Sequence, residues 1–155
     1  MKEGIYGFHS DDGKYKWLSN FEPFETPFVF EGIEYLTSEH FYQAMKSLDV
    51  EVNKAVAAHP SKGLKKFSRT IELRRDWNTV KTWAMRYILL YKFSDANPNL
   101  LAKLLATGNL YIEETNWWSD TYWGVCSKTG KGSNHLGKIL MEIRQMRVSE
   151  KLLEF

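Results

Sequence analysis

The chain has 155 residues, with 21 Lys and Arg against 19 Asp and Glu for a formal net charge of +2. That length predicts one domain spanning 1–155, able to bury roughly two thirds of the surface its unfolded form exposes, and the charge balance neither requires nor rules out nucleic acid as a partner. The lone cysteine, Cys126, excludes an internal disulfide, and four scattered histidines give no metal-ligand spacing, so neither a metal nor a cofactor is expected.

The N-terminus, MKEGIYGFHSDDGKYKW, lacks the apolar centre of a signal peptide, and charges interrupt the longest apolar helix before membrane-spanning length. The expectation is a cytosolic protein with no membrane partner. Aromatic residues make up 15% of the chain and include six tryptophans. Rings in that number line planar-ligand sites or fill a core and an oligomer interface, and composition leaves both readings open.

In chain order, IYGF (5–8) and FVFEGIEY (28–35) read as strands, the second pair turning at Glu31-Gly32 in a tight hairpin. Thr37 or Ser38 caps a helix over EHFYQAMKSL, with Glu39 in its first turn, where the helix dipole favours a negative charge. A short helix around VNKAVAAH stops before Pro60, and Ser61 caps a third, KGLKKFSR.

From Asp76 to Phe93, Trp77, Val80, Trp83, Ala84, Tyr87, Ile88 and Tyr91 recur at helical spacing, predicting the longest core helix. Asn97-Pro98 opens NLLAKLLATG as cap and first-turn proline, and Gly108 stops it. A last helix begins near Asn134 with Leu136, Ile139, Leu140, Ile143 and Met146 on one side. Before it, residues 110–137 form a long polar, aromatic and glycine-rich stretch whose lack of periodicity reads as an ordered functional loop. The fold class is therefore mainly α with a minor β-hairpin or small sheet, in a single domain.

Three constellations could carry chemistry. Glu39, Gln43 and Lys46 share a helical face, since seven residues turn through about 700°; the face is either a solvated stripe or the wall of a site, with Phe41, Met45 and Leu48 supplying another face for the core. His40 points about 100° away from Glu39 and reads as packing or supporting hydrogen bonds. The stretch SDTYWGVCSKTGKGSNHLG offers a second carboxylate, Asp120, and glycines that let backbone amides approach an oxyanion, or else it is a mobile surface loop. Trp77, beside Arg74 and Arg75, either stacks on a base or begins the core helix.

Seven segments in order carry a resemblance: LSNF (18–21), EGIEYLTSEHFYQAMK (31–46), SRTIELRRDWNTVK (68–81), MRYILLYKF (85–93), LLATGN (104–109), DTYWG (120–124) and GKGSNHLGKILMEIR (130–144). Together they resemble the NADAR, or YbiA-like, family. The resemblance implies a YbiA-like helical array and an N-glycosidase acting on a small-molecule ribosyl-phosphate or ADP-ribosyl substrate, of the riboflavin-intermediate type or as ADP-ribosylated guanine in nucleic acid.

By the same resemblance Glu39, Trp77 and Asp120 stand at the family's catalytic positions and Lys46 at its motif lysine. Asn20, Arg69, Trp77, Trp123, Gly124 and Asn134 become the substrate-binding candidates, with Arg69 toward phosphate and Trp77 and Trp123 toward the base. The stretch 9–17 and the doublet Trp117-Trp118 match nothing in the family, and variation there is expected to select the substrate. The rival reading is a non-catalytic ADP-ribose or nucleotide-binding module that keeps the pocket. Two carboxylates facing an anionic ligand favour the enzyme, because binding alone does not need them.

Overall fold

The computed structural model describes residues 2–9 and 12–154. Among them are six α-helices, a 3-10 turn at Lys16–Leu18 and three two-stranded sheets, so the fold is mainly α with minor β, as the periodicities predict. The chain forms two compact units. One is contiguous, Asn20–Asn97; the other joins Met1–Ser19 to Pro98–Phe155.

In the contiguous unit, β2 (Pro23–Phe30) and β3 (Ile33–Thr37) form an antiparallel hairpin. Its two turn residues, Glu31 and Gly32, both have positive φ, +50° and +78°, as a two-residue loop matched to the strands' right-handed twist requires. Thr37 then closes the strand and caps α1 (Ser38–Ala44), its hydroxyl accepting the His40 N–H at 3.1 Å. The capping residue is thus Thr37 rather than Ser38.

α1 is shorter than its apolar pattern suggests. Asn53, in α2 (Val50–Ala58), donates its side-chain amide to the carbonyls of Ala44 (2.7 Å) and Ser47 (3.1 Å). Those carbonyls are satisfied from outside, so the helix need not continue. Lys46 therefore lies in the turn beyond the helix, and Leu48, expected in the core, is 73% exposed. α3 (Leu64–Ser68) is entered through Gly63 at φ +81°, with no side-chain cap from Ser61.

α4 (Trp77–Lys92) buries Trp77, Ala84, Met85, Ile88, Leu89 and Lys92. Trp83 and Tyr87, placed inward from the sequence, are instead exposed and stack on each other at 5.1 Å between ring centres. Apolar residues occur all round this helix, so its period alone does not choose the buried face. Phe41 sits at the centre of the unit, fully buried, with the rings of Phe28, Phe30, Tyr35 and Tyr87 all within 6 Å. Asn97 accepts the N–H groups of Glu25 and Thr26 on its side-chain oxygen and donates to the Tyr91 carbonyl, which fastens β2 to the end of α4.

In the other unit, β1 (Gly4–Tyr6) pairs in parallel with β4 (Tyr111–Glu113), and β5 (Thr115–Asn116) with β6 (Val125–Cys126). The aperiodic stretch is thus largely short strand and turn. α5 (Pro98–Ala106) runs to Gly108, which at φ +62° supplies the predicted stop. α6 (His135–Leu152), with 18 residues, is the longest helix among the described residues, two longer than α4. It packs against α5 and β4. Gly137 permits the approach to β4: a Cβ there would lie 2.2 Å from the Ile112 carbonyl oxygen. Leu136, Ile139, Leu140 and Ile143 are buried as the spacing predicts, while Met146 is exposed.

Candidate active site

Glu39 occupies the first turn of α1, where its backbone N–H donates to the Asn20 carbonyl at 3.0 Å. Only 5% of the residue is exposed. Its carboxylate Oε1 accepts the Gln43 Nε2–H at 2.8 Å, one helical turn on. The shared face read from the sequence is thus a buried wall, not a solvated stripe. A charge so placed must be held by hydrogen bonds or neighbouring cations to stay ionised.

The cation that interacts with Glu39 is Lys46, which Arg69 and Lys65 in turn approach. Burial pushes the Lys46 ammonium below its ordinary range; Glu39 opposes that shift, and the positive charges of Arg69 and Lys65 add to it. Lys65 also lies over the Phe21 ring, 5.7 Å from its centre. Four buried side-chain atoms in this unit, Asn20 Oδ1, Ser38 Oγ, Gln43 Oε1 and Ser68 Oγ, have no hydrogen-bond partner within the structure. Each such atom costs about 1–3 kcal/mol when buried unsatisfied. Asn20 and Gln43, which adjoin Glu39 by direct hydrogen bonds of their backbone or side chain, are the two that a bound polar molecule could satisfy beside the carboxylate.

His40 is buried and fully used. Its Nε2 stands 2.7 Å from the His59 carbonyl, which can only accept, so that nitrogen carries the proton and Nδ1 receives the Thr37 hydroxyl at 2.6 Å. The ring ties α1 to the end of α2. Trp77, the first residue of α4, is 7% exposed and packs on Tyr42 with ring centres 5.2 Å apart. That is the core position, and it offers a planar ligand little ring face. Arg74 is committed to Asp76 through two bonds of 2.6 and 3.1 Å.

In the other unit Asp120 closes a short loop. Its Oδ1 accepts the N–H groups of Tyr122 (3.1 Å) and Trp123 (3.0 Å), which fixes the carboxylate against the backbone that follows. Asn116 closes the other side: its Oδ1 accepts the Asp120 N–H at 3.0 Å and its Nδ2 donates to the Asp120 carbonyl at 2.8 Å. This reciprocal amide clamp escaped the sequence reading, where an Asn four residues before an Asp was the only available signal.

Gly124 is a packing requirement, since a Cβ there would stand 2.0 Å from the Glu114 carbonyl oxygen and 2.8 Å from Asn116 Nδ2. Asn134, at φ +51°, spends its amide on β4: Oδ1 accepts the Glu114 N–H at 3.0 Å and Nδ2 donates to the Ile112 carbonyl at 3.0 Å. It is 3% exposed, and the structure places it as a fold-holding residue rather than one reaching toward a ligand. Trp123 is half-buried and meets Tyr122 edge to face at 4.8 Å.

The site residues thus fall into a set on Asn20–Asn97, consisting of Asn20, Glu39, Lys46, Arg69 and Trp77, and a set on the other unit, consisting of Asp120, Trp123, Gly124 and Asn134. Within the first, a buried carboxylate stands in an electropositive setting; within the second, a carboxylate is locked on a rigid loop. A protein of mainly helical fold with two such carboxylates has the groups for hydrolytic chemistry at an acetal-like carbon.

The chain belongs to the NADAR domain family, whose profile matches residues 7–146. The N-glycosidase YbiA of Escherichia coli K12 is 36% identical over 160 residues, covering 97% of this chain and 93% of that protein. An N-glycosidase from Nostoc punctiforme is 35% identical over 138 residues, covering 84% and 85%. A riboflavin biosynthesis protein of Vibrio vulnificus is 34% identical over 148 residues, 94% of this chain but 39% of that longer one. Among solved structures, the NMR structure of E. coli YbiA superposes with a TM-score of 0.81 at 35% identity, covering 98% of this chain and 89% of that one.

Proposed function

We propose that this protein hydrolyses the C1′–N bond of a phosphorylated ribosyl-base compound. That it is a hydrolase of N-glycosyl compounds follows from family membership and from relatives named N-glycosidases. The relative named as a riboflavin biosynthesis protein supports a small ribosylated intermediate as substrate. ADP-ribosylated guanine in nucleic acid is the second substrate class, and the net charge of +2 favours it less because backbone binding draws on many Lys and Arg contacts. We place the reaction in the cytosol, where small ribosylated intermediates of this kind are made and consumed; no helix among the described residues is long and apolar enough to cross a membrane.

The observation that carries this reading is the buried Glu39 carboxylate, held by Gln43 and close to the charge of Lys46. As C1′–N breaks, its electron pair leaves with the base nitrogen and the sugar becomes oxocarbenium-like, so an anion near C1′ lowers the barrier. Asp120, fixed by two backbone amides, is suited to be that anion. Glu39, whose Oε1 is held by Gln43, is suited to take a proton from the attacking water and pass it to the departing base. Arg69 and Lys46 receive the phosphate, and Asn20 and Trp123 contact ribose and base.

Glu39→Gln and Asp120→Asn should each lower base release by about 100-fold or more while leaving the fold intact, the range for loss of a positioned acid–base or charged group. Released base and sugar are identified by mass spectrometry with both substrate classes supplied. Full base release by Glu39→Gln would sink the assignment and leave the non-catalytic binding module in its place. A second reading rests on the lowered pKa of Lys46, which favours a neutral amine able to attack ring-opened C1′ as a Schiff base. Borohydride added during turnover traps an adduct at Lys46 under that reading and leaves it unmodified if the lysine only pairs with Glu39 or phosphate.

A further inference from the structure

Two stretches outside the family motifs, the segment beginning at His9 and the doublet Trp117-Trp118, meet in the structure. His9 and Trp118 stand with ring centres 5.7 Å apart at 63°, and Trp117 and Trp118 are almost perpendicular, 85° at 4.7 Å. His9 lies 4.0 Å from the carboxylate of the buried Glu114. Indole rings are costly to leave in water. Yet Trp117 is 60% exposed and Trp118 42%.

The doublet occupies the tip of the loop that Asn116 and Asp120 close. With the Asn116 amide bound to both the N–H and the carbonyl of Asp120, residues 117–119 project from a fixed base. Ser119 turns the chain at φ +64°, a conformation that a non-glycine residue adopts at a cost and that is typical of sites where a side chain must be aimed. The two indoles are therefore held in register with the carboxylate proposed above as the anion facing the sugar. Two perpendicular rings make a corner: a planar group stacked on one indole meets the edge of the other, both favourable aromatic geometries.

We infer that Trp117 and Trp118 form the stacking corner for the heteroaromatic base carried on the ribosyl group, and that they set which base is accepted. The inference rests on the N-glycosidase reading and adds to it. It moves base recognition away from Trp77, which the structure buries against Tyr42, to exposed rings three and two residues from Asp120. His9, beside Trp118 and backed by Glu114, borders the corner with a polar edge that can hydrogen-bond an exocyclic group of the base. Stacking is tolerant of base identity, so the selection comes from the shape of the corner and this polar edge.

The test compares two stable probes on the full chain: adenosine 5′-monophosphate, which carries a base, and ribose 5-phosphate, which does not. Binding is followed by calorimetry, and hydrolysis is measured on the substrate that the wild-type protein cleaves. The wild-type protein should bind the nucleotide about 5- to 150-fold more tightly than the sugar phosphate, the worth of one stacked base. Trp117→Ala and Trp118→Ala should each erode that ratio and raise KM more than they lower kcat, Trp118→Phe should largely restore it, and ribose 5-phosphate affinity should not change. Both side chains are exposed, so circular dichroism should report an unaltered fold.

A wild-type protein with no preference for the nucleotide, or a preference that survives both alanine variants, overturns the inference. So does a double variant that changes only the oligomeric state, which would make the rings an interface between copies. Either result leaves the hydrolase reading standing, because that reading is judged separately by base release in Glu39→Gln.

Discussion

Lys46 shows how one side chain takes its properties from its surroundings. Half-buried beyond the end of α1, it loses hydration that favours its ammonium form, and Arg69 and Lys65 push its pKa down further while Glu39 alone opposes them. Trace acylation across a pH series, read by peptide mass spectrometry, should therefore show Lys46 becoming reactive at lower pH than a free lysine side chain. Removing a neighbouring cation stabilises the ammonium form, so Arg69→Met should move the Lys46 titration upward. A titration that stays put in this variant would show that burial alone sets it. Much of this residue's setting was legible in the motif EHFYQAMK, because Glu39 and Gln43 one turn apart on a helix must adjoin. The opposing cations were not, since α3 approaches from elsewhere in the chain.

At the level of elements, local rules hold where the determinants are local. Glu31-Gly32 reads as a hairpin and is one, Thr37 caps α1, and Gly108 ends the segment after α5. Glu31 occupies a left-handed position that asparagine adopts more readily. Glu31→Asn should accordingly stabilise the protein by about 0.5–1 kcal/mol in denaturant unfolding, and a destabilised variant would mean that the Glu31 side chain contributes more than its backbone costs. Readings failed where a distant group decides. Asn53 ends α1 from α2, which leaves Leu48 out of the core, and the buried face of α4, with Ala84, Met85, Ile88 and Leu89, is chosen by its tertiary neighbours rather than by the apolar period. Asn134 is a substrate-binding candidate by its place in the family motif, but its side-chain amide is bound to the backbone of Ile112 and Glu114.

For the molecule as a whole, the group that most couples stability to pH is Lys92, at the end of α4. It is fully buried; desolvation pulls its pKa down from 10.5 to about 7, and the charge of Glu22 only partly offsets this. Between those two values the unfolded chain binds the proton that the folded chain has shed, so stability contributed through this group rises with pH from about 7 to about 10.5 and is lowest at and below 7. Lys92→Met should flatten that slope and gain most at the acidic end, as measured by guanidinium unfolding at pH 6.5 to 9.5. An identical pH slope in both proteins would show that Lys92 keeps its proton in the fold.

The contiguity of one unit and the divided make-up of the other impose an order on synthesis. Residues 20–97 form their unit from one continuous stretch, whereas β1 waits for β4, more than a hundred positions later in the chain. Emerging from the ribosome, the segment bearing Glu39 and Lys46 can mature first, while the β1 strand waits for residues 111–113 to arrive. A nascent chain stalled between those points carries one carboxylate of the pair in finished surroundings and has yet to make the other. On the roles proposed for Glu39 and Asp120, such a chain cannot yet hydrolyse an N-glycosyl bond.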